Sequence, residues 1–83
     1  MKKIDLTNLD CPEPMVLAYR ELSKLDQGEE VEIIMDNEDC AYSSYNLIKN
    51  SGVALVTIVN ETNKLYKLHV IKLRDLRNSM FAL

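Results

Sequence analysis

Lys3-Ile4-Asp5-Leu6-Thr7, then Cys11-Pro12-Glu13-Pro14, then Met15, Ala18, Leu22 and Leu25 at helical spacing: this stretch decides the fold. In its first part Ile4 and Leu6 share one face and Lys3, Asp5 and Thr7 the other, the alternation of a short half-buried strand. Asn8 and Asp10 mark a turn, and Asn tolerates a left-handed backbone better than most residues. From Pro14 the period changes from two to 3.6, with Arg20, Glu21 and Lys24 on the wet side. Proline is accepted in the first turn of a helix, where the amide it lacks would have been unpaired. The chain therefore passes from strand to helix through a corner that carries a cysteine.

Outward from this corner, Gly28 is expected to end the first helix. Val31, Ile33 and Met35 alternate with Glu30, Glu32 and Ile34 as a second strand, with the Ile34 end expected to be buried on both faces. Asp36-Asn37-Glu38-Asp39 reads as a polar loop able to cap a helix, and acidic groups suit its positive end. Ala41, Tyr45 and Ile48, with Leu47 beside them, give a weaker amphipathic helix, and Gly52 stands where a left-handed stop belongs. Val53 to Val59 is a third, almost continuously apolar strand. Asn60-Glu61-Thr62-Asn63 reads as a hairpin turn, and Leu65 to Ile71 as a fourth strand.

The order βαβαββ predicts an α+β, two-layer α/β sandwich: one four-stranded mixed sheet with two helices on one face. Right-handed crossovers make the first two strands parallel, and the last two form an antiparallel hairpin. Residues 1–73 make up this domain. Residues 74–83 form a C-terminal tail in which Leu73, Leu76 and Met80 could share a helical face beside Phe81. The tail is read either as a partial cover for its own domain or as a dimer or partner contact.

An 83-residue chain has room for one thin core, burying about 60–65 % of the surface its unfolded form exposes. That favours an exposed reactive group over a deep metabolite pocket. The net charge of −3 and pI near 5.0 come with dispersed Lys and Arg, so no phosphate-tracking surface for direct nucleic-acid contact is indicated. The four tyrosines, Tyr19, Tyr42, Tyr45 and Tyr66, then read as packing and rim residues rather than a base-stacking platform. Met1-Lys2-Lys3 is followed by Asp5 without an apolar run, so neither a signal peptide nor membrane insertion is expected, and the location is expected to be cytoplasmic. Two cysteines in a reducing compartment read as reactive or incidental rather than as a structural disulfide. With only His69 beside them, they match no metal motif, so no metal and no other cofactor is expected.

The chemistry concentrates at Cys11. A helix N-terminus favours the thiolate that nucleophilic sulfur requires, whereas nearby Asp10 and Glu13 disfavour it. Pro12 steers Cys11 toward an extended backbone just outside the helix, and only Glu13 and Met15 onward have amide hydrogens to offer there. The alternative is a small, inert, buried cysteine, which the surrounding prolines and acids make awkward. Cys40 falls near the start of the second helix. With the first two strands parallel, both helix starts lie at one sheet edge, so Cys40 is a candidate second thiol, either resolving or sulfur-accepting. A small core residue is its plainer reading.

These residues resemble the TusA-like (SirA-like) family of small sulfur carriers, whose pattern is an Asp in the first strand, a Gly-Leu pair and then C-P-x-P opening the first helix. Asp5, Leu9 and the full Cys11-Pro12-Glu13-Pro14 follow it, as do Gly28-Glu29-Glu30, Asp36 and Gly52, across about residues 3 to 72. Asn8 replaces the usual Gly, the tail is longer than typical, and Cys40 lies outside the core pattern. The resemblance implies a sulfurtransferase-type carrier that accepts a sulfane sulfur as a persulfide on Cys11, with Pro12, Glu13 and Pro14 supporting the motif. It implies a protein sulfur donor (a cysteine desulfurase, a rhodanese-like or another persulfide protein) and a protein acceptor, with a weak homodimer open. Destinations known in the family include tRNA thiolation, molybdenum-cofactor maturation, sulfur oxidation and selenium metabolism. The alternatives are a thiol redox or selenium accessory using Cys11 with Cys40, and a non-catalytic protein-binding module.

Overall fold

A computed structural model describes residues 1–62 and 64–73. Its elements are β1 (Lys2–Asp5), α1 (Glu13–Lys24), β2 (Glu30–Met35), α2 (Glu38–Ser51), β3 (Ala54–Thr62) and β4 (Leu65–Lys72). The strands form one sheet in the order β1-β2-β4-β3. β1 and β2 are parallel with Ile4 opposite Ile33, and β4 runs antiparallel to both its neighbours. This is the expected βαβαββ two-layer arrangement. The tail from residue 74 lies outside the described residues.

The sheet's period-two alternation decides what is buried. Val31, Ile33 and Met35 of β2 and Tyr66, Leu68 and Val70 of β4 point to one face, where they meet Ala18, Leu22 and Leu25 from the first helical segment and Ala41 and Ile48 of α2. Each fully buried Leu or Ile contributes about 1.5–3 kcal/mol by leaving water. The other face carries Glu30, Glu32, Lys67 and His69, as a sheet covered on one side should. β3 obeys the same rule despite its apolar run. Val56 and Ile58 pack inward, whereas Leu55 and Val59 are exposed on the uncovered face. Ile34 also lies on that face, half-buried rather than enclosed.

Two boundaries differ from expectation. α1 stops at Lys24, with Leu25 extended (φ −74°, ψ 141°). Gly28 (φ 87°) instead shapes the turn into β2, where its amide donates to the Lys72 carbonyl at 2.7 Å. The polar Asn60-Glu61-Thr62 does not form a turn but continues β3, with a register irregularity between Asn60 and Thr62. Strand pairing with β4 satisfies its backbone, so polarity alone misplaced the hairpin. Gly52, at φ 74°, ends α2 as expected.

Lys72 is the one lysine drawn into the core among the described residues, 2% exposed. Its Nζ donates to the carbonyls of Leu22 at 2.8 Å and Leu25 at 3.1 Å. A cation at a helix C-terminus complements the negative end of the dipole and satisfies carbonyls that have no partner within the helix. The last strand is thereby pinned to the end of α1, and α1 presents its other end to the cysteine corner.

Candidate functional site

Because β1 and β2 are parallel, the loops that leave them emerge side by side and start α1 and α2 at the same sheet edge. The β1–α1 loop is held by four hydrogen bonds. The Leu6 amide donates to the Ile34 carbonyl at 2.8 Å, extending the β1–β2 ladder by one residue. The Thr7 amide and hydroxyl both donate to Asp5 Oδ1, at 2.9 and 2.6 Å. Asn8 takes φ 65°, and its amide donates to Asp36 Oδ2 at 2.8 Å, tying the loop to the end of β2. Asn is among the few residues other than glycine that hold this left-handed backbone at modest cost, which is why it can stand at this turn. The Thr7 hydroxyl, and after it the Thr7 amide, hold the Asp5 carboxyl below its ordinary titration range.

The cysteine corner follows. Cys11 is exposed, its bond to Pro12 is cis, and Pro12 occupies the N-cap position of α1 without a side-chain cap. Glu13 opens the helix in solvent, and its amide is engaged by the Asp10 carbonyl at 2.9 Å, so this amide does not serve the sulfur. Pro14 is buried in the first turn and anchors the helix start against the core. Cys11 therefore sits in front of α1 on the outside of a turn whose inside is fixed.

Cys40 has the opposite environment. It lies in the first turn of α2, is fully buried, and its amide donates to the Asn37 side chain at 2.9 Å. The structure joins Cys11 and Cys40 as a disulfide with Cα atoms 5.8 Å apart. The sequence favours free thiols over a disulfide, yet parallel pairing of the first two strands already puts these two cysteines, 29 residues apart, at one sheet edge. Cys40 is thus a small core residue that also lies against Cys11.

Beside the α2 start lies an open depression of ≈ 420 Å³ lined by Asp36, Asn37, Glu38, Asp39, Lys64 and Tyr66. The Tyr66 hydroxyl donates to Glu38 Oε2 at 3.2 Å, and burial, then the Glu38 charge, push its titration upward. Among the described residues no grouping of His, Cys, Asp or Glu is arranged to hold a metal ion. Residues read as peripheral lie away from the corner. Arg20 is exposed, Lys24 pairs with Glu21 at 3.8 Å, and His69 meets Glu30 at 2.9 Å on the uncovered sheet face. Tyr42 packs edge-on against Tyr66, while Tyr19 and Tyr45 are half-buried against the core. The expected cap in the Asp36–Asp39 loop is Asn37, whereas sequence reasoning did not assign the loop-anchoring role of Asp36.

The profile of the family described as Sulfurtransferase TusA matches residues 2–72, covering every element of the sheet and both helices. The chain belongs to this family. The matched span includes the Cys11–Pro14 corner between the first strand and the first helix, and the protein is a TusA-family sulfur carrier or sulfurtransferase. A Methanocaldococcus jannaschii protein provisionally named as a sulfur carrier is 29% identical over 72 residues, spanning 87% of this chain and 95% of that one. The crystal structure of a SirA-like protein from Desulfitobacterium hafniense superposes with a TM-score of 0.76 at 20% identity, covering 89% of this chain and 100% of the other. At that identity the second likeness speaks for the fold. No helix among the described residues is long and apolar enough to cross a membrane.

Proposed function

We propose that the reduced chain accepts a sulfane sulfur on Cys11 as a persulfide and relays it to an acceptor protein in the cytoplasm. In the loading step the Cys11 thiolate attacks the outer sulfur of a donor protein's persulfide. A new S–S bond forms at Cys11, the donor's S–S bond breaks, and the donor thiolate leaves with the electron pair. Delivery repeats the exchange with an acceptor thiolate attacking the outer sulfur on Cys11. Neither step needs a metal or an organic cofactor. The donor is a persulfide-bearing protein such as a cysteine desulfurase or a rhodanese-like protein.

The observation that carries this reading is the contrast between the two sulfurs. Cys11 is exposed at a corner that a partner can touch, whereas Cys40 is fully buried. The buried Pro14 and the Asn8–Asp36 bond hold the corner in place, so little loop ordering is lost when a partner docks. The test is to reduce the protein, expose it to a persulfide donor and read its mass. Read at the earliest times after mixing, wild type carries one added sulfur and Cys11→Ser carries none. Equal uptake by both, or none by wild type, overturns the proposal.

The Cys11–Cys40 disulfide favours a second reading, a thiol redox accessory. The two separate on Cys40→Ser. A carrier with this substitution still loads and delivers sulfur, whereas a dithiol redox protein loses its turnover.

A further inference from the structure

We infer that Cys40 is an internal resolving thiol, which discharges an uncollected sulfur from Cys11 as hydrosulfide and closes the disulfide seen in the structure. This rests on the persulfide reading of Cys11 given above. Three features place Cys40 in this role. Its side chain is fully buried, so no donor or acceptor protein can reach it. It is within bonding reach of Cys11, with Cα atoms 5.8 Å apart, inside the usual span of about 4.4–6.8 Å for a disulfide. It stands in the first turn of α2, where the helix dipole favours a thiolate, although its burial and the acidic Glu38 and Asp39 in the same turn work against it. A thiol shielded from every other protein and held against the carrier sulfur has one accessible reaction partner.

The chemistry balances without an added oxidant. In the loaded chain Cys11 bears Sγ–SH. The Cys40 thiolate donates its electron pair to Cys11 Sγ, the bond from Sγ to the outer sulfur breaks, and hydrosulfide leaves with that pair. The persulfide sulfur is reduced from the sulfane to the sulfide level, and the two cysteine sulfurs are oxidised to the disulfide. Attack on the outer sulfur would instead move the persulfide onto Cys40, where no acceptor can collect it and from which it can only return. Sulfide release is therefore the productive outlet. An external dithiol, itself oxidised to a disulfide, supplies the two electrons and two protons that restore the free thiols.

The loaded carrier thus has two outcomes set by competition. A docked acceptor takes sulfane sulfur from the exposed end, and in its absence Cys40 converts that sulfur to sulfide. Intramolecular placement makes the second route independent of protein concentration.

The experiment uses the full chain, reduced and loaded anaerobically with inorganic polysulfide, then freed of excess reagent. Protein mass and released sulfide are followed with time in wild type, Cys40→Ser and Cys40→Ala. Two near-isosteric replacements, each checked for a native circular dichroism spectrum, guard against misfolding at this core position. Wild type is expected to lose the added sulfur, release about one equivalent of sulfide and finish two hydrogens lighter than its reduced form. Both variants are expected to keep the added sulfur at least ~10-fold longer. Equal lifetimes in all three proteins, or a wild-type rate that rises with protein concentration, would overturn the inference and leave the carrier reading standing. If wild type takes up no sulfur at Cys11, both fall.

Discussion

Replacing Lys72 by Met tests whether the bond between the last strand and the first helix stabilises the fold. The substitution keeps an unbranched apolar stem and leaves the backbone bonds of residue 72 to Gly28 and Glu29 untouched. What it removes is the ammonium that donates to the Leu22 and Leu25 carbonyls at 2.8 and 3.1 Å. Hydrogen bonds from a charged donor are each worth about 1.5–3 kcal/mol net. Two effects reduce the loss. The Leu22 carbonyl still accepts the Leu25 amide at 3.3 Å, and methionine has no buried charge to dehydrate. Leu25 O, by contrast, is left with the full cost of an unpaired carbonyl, about 1–3 kcal/mol. A net destabilisation of about 2–3 kcal/mol follows, which in a domain of this size lowers Tm by ~10–20 °C. Urea unfolding at constant m value, together with a thermal melt, measures it. A change within about 0.5 kcal/mol, or a gain, would show that the lysine's dehydration cost cancels its bonds and would refute the reasoning.

Two further substitutions probe the frame of the site. Thr7→Val removes the hydroxyl that holds Asp5 ionised, so the Asp5 carboxyl should titrate closer to the ordinary range, as read from its carboxyl carbon shift by NMR. Because its folded value lies below the unfolded one, the stability Asp5 contributes is complete above about pH 4 and lost as pH falls through the folded value. An unmoved titration in the variant would contradict this. Gly52→Ala places a Cβ in open space at φ 74°, so only the backbone penalty applies, about 1 kcal/mol by urea unfolding. A loss much above this would mean that a clash, not the backbone, sets the cost.

What the sequence made legible was local or periodic. The change of period between Ile4–Leu6 and Met15–Leu25 announced a strand feeding a helix, and the motif between them located the exposed cysteine. What escaped depended on neighbours far along the chain. The apolar run from Val53 to Val59 gave no sign of which residues face outward, and Leu55 and Val59 do so because both helices occupy the other side of the sheet. A run of β-branched and aliphatic residues cannot report how many layers will cover it. Lys72 falls outside the fourth strand, read as Leu65 to Ile71, because no pattern links it to carbonyls 50 and 47 residues earlier. The approach of Cys40 to Cys11 could be raised from parallel pairing, but its closeness depends on how both helix starts seat. Asn60-Glu61-Thr62 misled because strand residues paired only on one side can be as polar as a turn.

The strand order has a consequence for how this protein comes into being. β4, the final strand, fills the gap between β2 and β3, so those two strands share no neighbour until it arrives. A ribosome releasing the chain from its N-terminus produces both cysteines, both helices and three strands before the piece that unites them. Collapse of the finished sheet must therefore wait until residue 72 clears the exit tunnel. Until then the cysteine corner belongs to an unfinished protein whose apolar strands stand open to other nascent chains.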